Sequence, residues 1–111
     1  MALFVMFWDL PPAEQMQAYG VQAKTWTNTV LEVPGVREFR AYRNPSKATP
    51  QVTVQVEFDS LESVEKFVNS ESFSKNLDGL KKLGIHNFST QMWDASPVIP
   101  APLKPAGTRL H

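Results

Sequence analysis

The chain predicts an α+β fold with the element order β-α-β-β-α-β, and three observations carry that prediction. The first residues, ALFVMFWD, are apolar without alternation. The stretch VTVQVEF at 52–58 alternates with period two. Two other segments repeat their apolar residues every three or four positions. Strand side chains alternate between faces and helical ones recur every 3.6 residues, so the two periods separate the element types.

The first strand, 2–9, is apolar on both parities, as expected of a strand buried on both faces and central in its sheet. Leu10-Pro11-Pro12 ends it, because proline cannot donate to a ladder. From Pro12 to about Val33, the residues Met16, Tyr19, Ala23, Trp26 and Val30 share one helical face. Gly20 weakens the middle of that helix by roughly 1 kcal/mol relative to alanine, and close packing on the sheet is its expected purpose. Pro34-Gly35 stops the helix and turns the chain into a second strand, Val36–Arg43. The loop 44–50 is rich in turn formers and too long for a two-residue hairpin. The third strand, 51–58, puts Val52, Val54, Val56 and Phe58 on one face and Thr53, Gln55 and Glu57 on the other. Pairing it with the second strand places Phe39 and Ala41 on the valine side, and Glu38, Arg40 and Tyr42 with the polar residues.

Asp59 is the expected cap of the next helix, with Glu62 reaching back to it. Val64, Phe67 and Val68 begin an apolar stripe that Phe73, Leu77 and Leu80 continue, with a kink or two short helices expected around Asn69-Ser70. Lys81 and Lys82 suit the helix dipole and Gly84 terminates. The last strand, 85–94, alternates again. After Ala95 the composition shifts: Pro97, Pro100, Pro102 and Pro105 predict an extended, polyproline-like tail. The chain thus divides into one domain, 1–95, and a Pro-rich tail, 96–111.

Composition narrows the function classes. The 111 residues carry eleven basic and eleven acidic side chains, with no cysteine, and the pI is about 6.7. A nucleic-acid partner needs a clustered positive excess, which is missing. Disulfides, thiolate nucleophiles and cysteine-ligated metals are excluded. The apolar N-terminal run is too short to span a membrane and lacks the basic start of a signal peptide, so the expected location is cytoplasmic, with no membrane partner. No GxGxxG, Walker or HExxH motif occurs, and His86 and His111 are the sole imidazoles, so neither a metal site nor a cofactor is expected.

The element order is the ferredoxin-like, split βαβ pattern, with a four-stranded antiparallel sheet. Right-handed crossovers put the first and third strands in the centre and both helices on one face. The other face is left bare although the first strand is apolar on both sides. Two copies packed sheet against sheet would cover it and enclose a cavity. A homodimer with a small-molecule ligand is the expected assembly.

The segments ALFVMFW, PGVREFRAYRN, QVTVQVEFDSLES and NFSTQMWDASPVIP together resemble the dimeric α+β barrel superfamily, in its small branch of antibiotic-biosynthesis-monooxygenase-like proteins. The resemblance spans about residues 2–100. It implies a cofactor-independent monooxygenase-like enzyme acting on a small aromatic or polyketide-like molecule inside the barrel. Non-catalytic small-molecule-binding or stress-related modules, lactone isomerases and cyclases share the same frame. Haem-degrading relatives use a histidine on the second helix, and 61–83 contains none.

The candidate constellation is Arg40, Tyr42 and Glu57, with His86 as a further base. Gln55, Asn87 and Trp93 are candidates for holding the ligand, and Trp8 and Trp26 for stacking on it. Arginine holds an enolate or carboxylate, tyrosine and asparagine orient a carbonyl, and tryptophan stacks on a planar ring. The bland alternative is an Arg40–Glu57 ion pair across the strands, with the remainder bonding across the dimer. Parity puts His86 on the side of Phe88 and Met92, toward the helices or the rim. Trp26 reads as core before it reads as site, and Trp8 does likewise but is expected near a cavity mouth. The PxxP spacings of the tail fit recognition ligands formally, but a tail that clasps the other subunit is the favoured reading.

Overall fold

The computed structural model describes residues 1–106; His111 and the last residues of the tail lie outside them. The strands β1 (Ala2–Asp9), β2 (Val36–Arg43), β3 (Val52–Phe58) and β4 (His86–Asp94) form one antiparallel sheet in the order β2-β3-β1-β4. The first and third strands are central, as the crossover rule requires. Helices α1 (Met16–Leu31), α2 (Leu61–Val68) and α3 (Glu71–Leu83) cover one face, completing the ferredoxin-like α+β fold. No helix among the described residues is long and apolar enough to cross a membrane.

The core lies between sheet and helices. Ala2, Phe4, Met6 and Trp8 from β1 meet Val52, Val54, Val56 and Phe58 from β3, all buried. The helices contribute Tyr19, Trp26, Val30, Val64, Phe67, Phe73 and Leu80. Phe67 and Phe73 meet edge to face at 5.0 Å, and Phe4 sits against both at 5.9 and 6.0 Å. These are the offset geometries that the ring quadrupole favours.

Local chemistry sets the element ends. A 3-10 turn at Ala13–Gln15 precedes α1, with the Gln15 N–H donating to the Pro12 carbonyl at 2.9 Å. The cap of α2 falls one residue later than the sequence suggests: the Ser60 Oγ accepts from the Ser63 N–H at 3.2 Å. Asp59 is engaged elsewhere, its N–H donating to the Gly35 carbonyl at 2.8 Å and its carboxylate accepting from the Ser63 hydroxyl at 2.6 Å. Glu62 accordingly turns along the helix to Lys66, 3.4 Å away. Ser70 caps α3, which separates the two short helices at the expected break, and Gly84 ends α3 at φ 108°. Gly20 is not a packing residue. A Cβ built there meets nothing within 4 Å.

The tail leaves β4 without joining the sheet.

Candidate functional site

The face of the sheet opposite the helices is uncovered by any helix. Leu3, Val5 and Phe7 of β1 form its floor, Leu3 and Phe7 half-buried and Val5 buried between its neighbours. The strand register decides what surrounds them. Glu57 lies opposite Glu38, Gln55 opposite Arg40 and Thr53 opposite Tyr42. On the other flank Trp93 pairs with Leu3, Gln91 with Val5 and Ser89 with Phe7. Side chains on paired positions share a face, so Arg40, Tyr42, Gln55, Glu57 and Trp93 stand on the same open surface.

Two grooves divide this surface. One, of about 200 Å³, is lined by Leu3, Glu38, Arg40, Gln55, Glu57 and the tail residue Pro102. The second, of about 180 Å³, holds Tyr42 with Phe7, Thr53 and the loop residues Pro50 and Gln51. Arg40 and Glu57 therefore share a groove, while Tyr42 stands two residues further along β2, about 7 Å away by strand rise. Trp93 is 55% exposed on the β4 edge, its indole N–H donating to the Gln91 side chain at 3.1 Å.

Charge in the first groove is not organised as an Arg40–Glu57 pair across the strands. The Arg40 Nε and Nη2 both bind the Glu38 Oε1 at 2.7 Å, on the same strand. Glu38 foremost, and Tyr42 after it, hold the Arg40 guanidinium above its ordinary range and thus charged. The Glu57 carboxylate makes no hydrogen bond or ion pair among the described residues. Two carboxylates on directly opposed positions repel, and the arginine neutralises one of them. What results is an apolar floor with a fixed cation and an unengaged carboxylate beside it.

The remaining candidates lie elsewhere. Trp8 of β1 and Trp26 of α1 meet in the core between sheet and helices, 3% and 4% exposed and stacked at 6.4 Å. The Trp8 indole N–H donates to the Tyr19 hydroxyl at 2.9 Å, and burial foremost pushes the Tyr19 phenol up. Neither tryptophan stands on the open face; both line a small cavity of about 30 Å³ between the sheet and α1. The even positions of β1 all point to the core, which is why.

His86 and Asn87 gather around a residue that sequence reasoning passed over, Asp9. Asn87 adopts φ 54° and shifts the β1–β4 register, so that His86 lies opposite Asp9 and out of line with Phe88. That bulge overturns the parity argument for His86. Asp9 is 5% exposed. Its carboxylate accepts from the Thr49 hydroxyl at 2.6 Å, the Asn87 amide at 2.8 Å and the Gln51 N–H at 3.0 Å. The His86 Nε2 stands 4.0 Å away, while its Nδ1 lies 3.2 Å from the Gly84 carbonyl. These bonds, Thr49 first and Asn87 second, hold the Asp9 carboxyl below the usual carboxylate range. The available signal was an acidic residue ending a fully apolar strand, where a buried charge must find donors.

No family model and no curated protein matches the chain. Solved structures do. A provisionally assigned antibiotic biosynthesis monooxygenase of Deinococcus radiodurans superposes with a TM-score of 0.74 at 12% identity, covering 86% of this chain and 93% of that one. A variant of SnoaB, a cofactor-independent oxygenase of Streptomyces nogalater, gives 0.71 at 11% identity, covering 90% and 97%. A dimeric ferredoxin-like protein of unknown function from Bacteroides fragilis gives 0.66 at 14%, covering 83% and 93%. At these identities the likeness is one of architecture: the chain has the ferredoxin-like fold of the antibiotic-biosynthesis-monooxygenase-like proteins.

Proposed function

We propose that the chain acts in the cytoplasm as a homodimer, open face against open face, and that the enclosed cavity binds a small planar phenolic or polyketide-like molecule and oxidises it with dioxygen. The observation that carries this reading is the unengaged Glu57 carboxylate beside Arg40 above the Leu3 floor. Glu57 takes a proton from an acidic C–H or O–H of the ligand. Arg40 holds the resulting oxyanion, since a charge-assisted bond outweighs a neutral one. Gln55 and Tyr42 orient ring substituents and Trp93 stacks at the edge. The ligand anion gives its electrons to dioxygen. A methylene oxidised in this way becomes a carbonyl, with one oxygen atom leaving as water, so the balance closes without a further reductant.

Oxygen uptake with a panel of hydroquinones and anthrone-type ketones tests this, with Glu57→Gln as the control. Uptake that falls at least about a hundredfold in Glu57→Gln, within the range for loss of a general base, supports it. Ligand binding without oxygen uptake would make the protein a binding module. That second reading is favoured by one observation, the prior engagement of Arg40 by Glu38. Product formation without oxygen uptake would point to a lactone isomerase or cyclase.

A further inference from the structure

We infer that the Pro-rich tail is a built-in strap that closes one end of the open-face groove, with Pro102 as the residue seated in it. The chain leaves the sheet at Asp94, which pairs with Ala2 at the edge of β1. The exit is shaped by short-range bonds. The Asp94 carboxylate accepts from the Ala95 N–H at 3.1 Å, and the Ser96 hydroxyl accepts from the Val98 and Ile99 N–H groups at 3.2 Å each. Pro102 then lines the same groove as Leu3, Gln55 and Glu57 and as Glu38 and Arg40 of the far edge strand. The path from β4 to that groove crosses β1 and β3, on the order of 10–15 Å at the usual strand spacing. Six to eight residues of extended polyproline chain, at about 3.1 Å each, span it without strain.

Composition suits the task. Pro97, Pro100 and Pro102 carry no N–H, so the segment cannot add to the β4 edge as a further strand. Prolines also leave the free tail with fewer conformations to lose, which makes ordering across the sheet less costly. The seat is shallow: Pro102 itself stays exposed, and Val98, Ile99 and Leu103 are 84%, 53% and 77% exposed. A strap held mainly at one residue can open. Closed, the Pro102 ring keeps water from one side of the Arg40 and Glu57 charges; open, it admits a ligand.

This inference deepens the reading of the open face as the ligand site, but its test uses neither ligand nor oxygen, so the two fail separately. The chain has no cysteine, so one introduced thiol reports alone. In Gln55→Cys, reaction with Ellman's reagent is compared between the full chain and a chain ending at Ala95. Removing the strap is expected to raise the rate about tenfold, because apparent reactivity scales with the open fraction. Equal rates overturn the proposal. Should the shortened chain fail to fold, Pro102→Asp in the full chain sets a carboxylate beside Glu38 and Glu57 and is expected to move the rate the same way. Oxidation of Leu3→Cys/Pro102→Cys is expected to give an intrachain disulfide, running at monomer mass on a non-reducing gel. A covalent dimer, or no bond, overturns the seat within one chain.

Discussion

Phe7→Glu places a carboxylate on the open face of the central strand and separates the stability of the protomer from that of the dimer. Phe7 is half-buried within one chain, against Tyr42, Thr53 and Pro50. Full burial of such a side chain stabilises by about 1.5–3 kcal/mol, so roughly half of that is left for the interface. By two-fold symmetry the loss counts twice, or about 1.5–3 kcal/mol per dimer. Each introduced carboxylate also has to lose water against the opposing sheet, at several kcal/mol per ion unless it finds a partner. A total of at least about 5 kcal/mol weakens the dimer more than a thousandfold at 1.4 kcal/mol per decade. Within the protomer the same carboxylate still reaches solvent and the fold survives. Light scattering at micromolar concentration should report twice 12.5 kDa for the parent and 12.5 kDa for the variant, with unchanged far-UV circular dichroism. Val21→Glu, at a position 65% exposed on α1, should leave the mass at the dimer value. If Phe7→Glu remains a dimer of unchanged affinity, or the parent is a monomer, the open sheet face is not the interface.

Three other outcomes follow from particular residues. Gly20→Ala should stabilise the fold by roughly 1 kcal/mol, since the site is helical and a Cβ meets nothing there; a lower urea midpoint would contradict it. Tyr19→Phe orphans the buried Trp8 N–H and should cost about 1–3 kcal/mol, with the effect reduced in a Trp8→Phe background; additive losses in the double-mutant cycle would mean the bond contributes nothing. The Thr49 and Asn87 bonds hold the Asp9 carboxyl below its ordinary range, so the stability it contributes is fully present above the unfolded-state pKa and is lost as pH falls through the lowered one. Asp59 is shifted the same way by Ser63. Asp9→Asn should therefore flatten, without abolishing, the decline of the urea midpoint between weakly acidic and strongly acidic solution, and parallel curves for parent and variant would remove Asp9 from the acid limb.

What the sequence made legible, and what it hid, divides by whether period alone decides. Strand order, the helix-covered face and the common surface of Arg40, Tyr42, Gln55, Glu57 and Trp93 all rest on alternation. The β2–β3 ladder is regular from Glu38 to Arg43, and its one shift lies before Glu38, so parity holds wherever those residues fall. At Asn87 it fails, because asparagine tolerates the left-handed region and no glycine marks the bulge. One such residue sends His86 to Asp9 and out of the Phe88 row. The partner of Arg40 was hidden for another reason: Glu38 and Glu57 are equally near by register, and rotamers alone choose between them. Asp9 joins the two cases. A carboxylate buried at the end of an apolar strand has to draw in donors, and the ones it draws come from residues 40 and 78 positions away, Thr49 and Asn87. By fixing Thr49 and the Gln51 N–H it also fixes the loop that carries Pro50 and Gln51 into the Tyr42 groove. The far end of the open face is thus set by a charge that periodicity reads as the end of a strand, and the near end by a tail that periodicity reads as no structure at all.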